Sequence, residues 1–169
     1  MIHIIGTKHS LQCWSEAIKS RIDCDSAPAT IERFEHYLRD AALSLRATAI
    51  AEELSKEAVE ERQGGASVAK LVADCLGLRH LFCDPDAGER EALGISTGSD
   101  REDVWASRLK PLAPNDTSII FLCGANHSDT FKMTLGRWGL HARVHCDDWT
   151  RVQADVGEWY TEGDDASPR

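Results

Sequence analysis

Apolar residues along this chain follow two rhythms, short dense runs and longer stretches with apolar positions every three or four residues. The dense runs are Ile2 to Ile5, Ala47 to Glu53, His80 to Cys83, Ser118 to Cys123 and Ala142 to Cys146, and they read as strands. Between them the spacing turns helical. Ser10 caps a helix to Arg21 with Leu11, Trp14 and Ile18 on one face, and Thr30 caps a second with Ile31, Phe34, Leu38, Ala41, Ala42 and Leu45 inward. The charged segment Lys56 to Arg62 reads as a solvated helix broken by Gly64-Gly65. Ser67 then caps a helix carrying Val68, Leu71, Val72 and Cys75 inward, which Gly77 ends.

The second half repeats the alternation. Asp84-Pro85-Asp86 makes a turn, a helical turn follows over Glu89 to Leu93, and Asp100 caps a helix with Val104, Trp105, Arg108 and Leu109 that stops before Pro111. Ser128 caps a last helix with Phe131, Met133, Leu135 and Trp138, ended by Gly139. Strands alternating with helices predict an α/β fold, a mostly parallel open sheet with helices on both faces, Rossmann-like in the broad sense. Residues 1–162 read as one domain and residues 163–169 as a polar, disordered tail.

Composition narrows the function. Among 169 residues, 19 Lys and Arg face 28 Asp and Glu, and a net charge of -9 opposes a nucleic-acid backbone, so no nucleic-acid partner is expected. No apolar stretch approaches a membrane span, and no signal peptide is read before Gly6, so a cytoplasmic protein is expected. The six cysteines are irregularly spaced, with no C-x-x-C pair, and read as reduced and structural. Neither a G-x-G-x-x-G nor a P-loop fingerprint is present.

Two of the dense runs end in Gly-x-x-His followed by a helix start: Gly6-Thr7-Lys8-His9 and Gly124-Ala125-Asn126-His127. A third copy, Gly77 to His80, precedes a strand, and its glycine reads as a helix C-cap. In the other two, glycine lets the backbone turn at the strand tip and delivers an imidazole over the edge where open α/β sheets bind ligands. Such an imidazole can ligate a metal, act as a base or pair an anion. Glu52 and Glu53 end another run at the same edge, and alternation sends at most one of the two into the crevice, the other facing solvent or a basic partner. Arg101 and Glu102 open a helix, and an arginine in the first turn works against the helix dipole, which points to a charge-stabilising task or an ion pair. Asp84, Asp147 and Asp148 follow other strands, and Cys13 lies one helical turn from His9.

The ordered set Gly6, His9, Glu52 or Glu53, Arg101, Gly124 and His127 resembles the TraB/Tiki superfamily, which also takes in erythromycin-esterase-like and ChaN-like proteins. The resemblance implies an α/β fold with both histidines, a glutamate and the arginine around one pocket. Tiki-like members are metal-dependent proteases, erythromycin-esterase-like members are hydrolases that use a histidine to activate water, and ChaN-like members bind haem. This chain is shorter than the larger members, without a membrane anchor or an inserted lid domain.

The expectation is a small hydrolase of a small-molecule or peptide substrate. His9, His127 and a glutamate, Glu53 in particular, would hold Mn²⁺, Co²⁺ or Zn²⁺, with Gly6 and Gly124 shaping the site and Arg101 stabilising an oxyanion. A metal-free version makes one histidine the general base and the glutamate its orienting partner. The rival expectation is a non-enzymatic module that binds a small anionic ligand or a partner protein in the same crevice.

Overall fold

The computed structural model describes residues 1–14, 28–61, 66–113 and 117–151. Five strands, β1 (Ile2–Thr7), β3 (Ala49–Glu52), β5 (Arg79–Phe82), β6 (Ile119–Gly124) and β7 (Ala142–Cys146), form an all-parallel open sheet in the order β5-β3-β6-β1-β7. The Rossmann-like α/β expectation is met. Strands β1 and β6 are buried along their whole length, as their dense apolar runs require in a sheet covered on both faces. The edge strand β7 is only partly covered.

Helices divide between the two faces. On one, Phe34, Leu38, Ala41 and Ala42 of α2 (Pro28–Ser44) and Val68, Ala69, Val72 and Ala73 of α3 (Val68–Leu76) pack on Ile5, Ile50, Ile120 and Leu122. On the other, Trp105, Ala106 and Leu109 of α5 (Gly98–Leu109) and Phe131 and Leu135 of α6 (Ser128–Arg137) pack on Ile4, Ala51, Phe121 and Cys123. Alternate strand residues feed the two cores, which is the period-two pattern expected of a sheet with two covered faces.

This topology fixes where a ligand can enter. From β1 the chain leaves toward the β5 edge over the first face, and from β6 it leaves toward the β7 edge over the second. Because β1 and β6 are neighbours, their outgoing loops diverge to opposite faces and leave a crevice at the carboxyl ends. The two Gly-x-x-His segments lie on either side of that gap.

Several local expectations are corrected. The helix after β1 is one turn, α1 (His9–Gln12), and the chain then pairs Cys13–Trp14 (β2) antiparallel to Ala66–Ser67 (β4). The rest of the expected helix to Arg21 falls outside the described residues, as do Gly64-Gly65, Cys24 and the tail from residue 163. Helix α2 starts at Pro28 rather than after Thr30, in keeping with proline's preference for a first helical position. Residues Glu57–Glu61 form a π-helical turn.

Capping explains further shifts. Ser67 caps α3, its hydroxyl accepting from the Lys70 N–H at 3.1 Å, and Gly77 closes that helix at φ 67°. Leu71 and Cys75, expected inward, are exposed; the buried stripe is Val68, Ala69, Val72 and Ala73. Asp86 and Glu89 form a capping box that starts α4 (Ala87–Leu93) earlier than expected. Thr97 rather than Asp100 caps α5, Asp100 being the reciprocal partner three residues on, so Arg101 sits past the first turn. Ser128 caps nothing: a 3₁₀ turn (Ala125–His127) precedes α6, and the Ser128 hydroxyl donates to the Asp147 carbonyl at 3.0 Å. Met133, expected on the apolar face of α6, is exposed. No helix among the described residues is long and apolar enough to cross a membrane.

Candidate functional site

His9 and His127 meet at one crevice. Both line a cavity of about 320 Å³ together with Thr7, Lys8, Gly124, Asn126 and Asp148. Register explains the meeting, since Thr7 of β1 lies opposite Gly124 of β6 and each histidine follows within three residues.

Each imidazole is tethered through Nδ1 to a buried carboxylate. His9 Nδ1 lies 2.9 Å from Glu53 Oε1; the His9 side chain is 62% exposed and that of Glu53 fully buried. Glu53 Oε1 also accepts the Gly124 N–H at 2.8 Å. His127 Nδ1 lies 2.8 Å from Glu102 Oε1, with its ring edge-on to Trp105. Glu102 is held in turn by the hydroxyls of Thr130 at 2.6 Å and Thr134 at 3.0 Å. In both pairs the carboxylate favours the tautomer with the proton on Nδ1, which leaves Nε2 able to accept. The hydrogen bond from His9 to Glu53 raises the His9 pKa above the ordinary imidazole value; partial burial and Arg101 oppose the rise, and the charges of Glu53 and Asp84 assist it.

Gly124 is required by packing. A Cβ there would stand 2.9 Å from His9 Nε2 and 3.1 Å from Glu53 Oε1, in the space the pair uses. Gly6 has a different task. A Cβ on Gly6 would collide with the Asp147 carbonyl at 2.0 Å and the Ser128 hydroxyl at 2.3 Å, so it admits the segment after β7 rather than lining the cavity.

The two adjacent glutamates part company. Glu53 turns to His9, while Glu52 is buried on the α2/α3 face, where its Oε1 accepts from the Ser67 hydroxyl and lies 2.6 Å from His80 Nε2. Burial raises the Glu52 pKa, and His80 and Ser67 counter that rise. Glu52 belongs to a buried polar cluster joining β3, β5 and the start of α3. It does not line the cavity.

Arg101 is likewise not among the lining residues. It donates from Nε to Asp84 Oδ1 at 2.8 Å, and its guanidinium lies 5.2 Å from the Trp105 ring centroid. Asp84 also accepts from Trp105 Nε1 at 2.9 Å and pairs with Arg90. The guanidinium is thus fixed on Asp84, and its charge acts on His9.

The implied metal set does not fit this geometry. Glu53 Oε1 is engaged by His9 and Gly124, while its Oε2 is buried and without a hydrogen-bond partner. Among the described residues no group of three or more His, Cys, Asp or Glu is disposed to hold a metal. Glu53 stands where a residue that orients His9 would stand.

Glu102 is the site residue that sequence reasoning left unassigned. A signal was present: Glu102, Trp105, Ala106 and Leu109 share one helical stripe, so an acid shares the face of α5 that carries its buried apolar residues. Cys13 pairs with Ser67 through its backbone. Cys83 and Cys123 are buried free thiols whose pKa values burial pushes up, Cys83 to about 12, so neither supplies a thiolate. Comparison with protein-family models, with curated proteins and with solved structures found no match.

Proposed function

We propose that this protein is a hydrolase that activates water with histidine, without a metal, and cleaves an acyl bond of a small molecule or peptide. One observation carries the reading: two histidines on one cavity, each held through Nδ1 by its own buried carboxylate. A single oriented histidine is common in structural roles. Two such pairs facing one crevice at the diverging strand ends supply a base and an acid.

His9 is the more suitable base, because Glu53 raises its proton affinity and its ring is open to water. Its Nε2 takes a proton from water as the oxygen attacks the acyl carbon, and Glu53 stabilises the imidazolium that forms. His127, held by Glu102, serves as the acid and gives a proton from Nε2 to the leaving group as the acyl bond breaks. Lys8, on the cavity wall, supplies positive charge toward the developing oxyanion. The resemblance to the TraB/Tiki superfamily supports a hydrolase through the erythromycin-esterase-like members rather than the metal-dependent ones.

The test is turnover of activated esters and of a peptide library by wild type, His9→Ala and His127→Ala, with circular dichroism as the control for folding. Each substitution is expected to lower kcat/KM by about 10²-fold or more without unfolding the protein. Chelation with EDTA is expected to leave turnover unchanged, because among the described residues no group of three His, Cys, Asp or Glu is disposed to hold an ion. Wild-type rates in both variants overturn the proposal. Stabilisation by carboxylate or phosphate ions without turnover replaces it with the anion-binding module.

A further inference from the structure

A second cavity of about 430 Å³ adjoins the first and shares Asn126 and His127 with it. Its other walls are Gly98 and Ser99 at the start of α5, and Thr130, Met133, Thr134 and Arg137 on α6, with Glu102 at its base. Among the residues with polar side chains, Thr130, Thr134, Glu102 and Arg137 are engaged with one another. Thr130 and Thr134 both donate to Glu102, and Thr134 accepts from Arg137 at 3.0 Å. Arg137 also stands 3.7 Å from Asp103, which offsets its charge. The threonine hydroxyls are thus turned to Glu102, and Met133 and the bare backbone of Gly98 complete the wall.

Met133 is the most exposed large apolar side chain among the described residues, at 72%. An unbranched thioether on a cavity wall adapts to apolar groups of different shape. Gly98 leaves its part of the wall bare, and a Cβ there would stand 3.4 Å from His127 Cε1, in ordinary contact with the ring.

From these contacts we infer that the second cavity binds an uncharged alkyl or aryl group of the substrate. Resting on the hydrolase reading, the inference divides the substrate at His127, with the polar side in the His9 cavity and the apolar arm between α5 and α6. The chemical class is an apolar acyl or side-chain group joined to a polar partner.

The chain has two methionines, Met1 and Met133, so ¹³C-methyl methionine labelling places one reporter in the cavity and one far from it. The probes are 1-propanol, 1-pentanol and 1-heptanol, which have no hydrolysable bond and therefore report binding independently of turnover. The Met133 methyl signal is expected to shift saturably and the Met1 signal to stay, with apparent Kd falling by about tenfold for each two methylenes added. Heptanoate and heptylammonium are expected to bind more weakly than heptanol. Gly98→Val, which fills the space, is expected to abolish the shift.

A Met133 signal that ignores chain length overturns the inference, as does tighter binding of either charged probe. If the Met133 signal moves as expected and no acyl substrate is turned over, the cavity stands and the hydrolase reading falls. A still signal in an enzyme that turns over esters removes the cavity assignment alone.

Discussion

At the residue scale, adjacent identical side chains acquire opposite tasks from which face of the sheet they enter. Glu53 orients an exposed imidazole, and Glu52 is locked among Ser67 and His80. Each yields a prediction. Glu53→Gln removes the hydrogen bond and charge that raise the His9 pKa, so the acid limb of the kcat/KM profile moves to lower pH while the plateau rate falls. An unmoved limb would show that His9 is not the titrating base. A histidine whose folded pKa is raised adds stability that is full below its ordinary pKa and lost as pH rises through the folded value. His9→Ala is therefore expected to lower Tm more at about pH 5 than at about pH 9. The effect is small, at most about 1 kcal/mol, because the ring is largely exposed to solvent.

Glu52 runs the other way from the usual carboxylate. Burial raises its folded pKa, so the ionised form costs stability as pH rises. Glu52→Gln keeps the shape and an acceptor without the charge, and urea titration is expected to find it within about 1 kcal/mol of wild type. Glu52→Ala strands Ser67 and His80 and is expected to cost about 1–3 kcal/mol. Sequence alone sent the two glutamates to opposite faces. Which one reaches His9 depended on the Gly124 N–H, 71 residues away and brought alongside by strand pairing.

At the scale of elements, strands and helix ends were legible wherever a local rule suffices. The five strands follow from dense apolar runs, and the Ser67 cap and Gly77 stop of α3 follow from residue type. Where two local rules compete, the reciprocal one prevailed. Thr97 and Asp100 cap each other, and that placed the start of α5 upstream of Asp100. Loss of this cap through Thr97→Ala is expected to cost about 1 kcal/mol in chemical denaturation. The two motif glycines differ in what they protect. Gly6→Ala drives a Cβ into the Asp147 carbonyl and is expected to destabilise the fold by about 1–3 kcal/mol, read as a lower midpoint in urea. Gly124→Ala meets the flexible His9 and Glu53 side chains instead, and its main expected effect is on turnover.

At the scale of the whole molecule, the site is a product of strand order. Hydrogen exchange is expected to be slowest in β1 and β6, buried throughout, and faster in the edge strand β7. Equal protection of all five strands would contradict that layering. The alternation of apolar runs and helical stripes determined by itself the α/β class and a site at strand carboxyl ends, because burial and turning are rules that act within a few residues. It also determined that Gly-x-x-His delivers an imidazole past a strand tip. Only the tertiary structure decided that β6 lies between β3 and β1, and with it that the two histidines share a cavity. The partners of those histidines were decided there too. Glu53 and Glu102 lie 44 and 25 residues away from them in the chain, and such pairings depend on sheet order and helix packing, which no local pattern encodes.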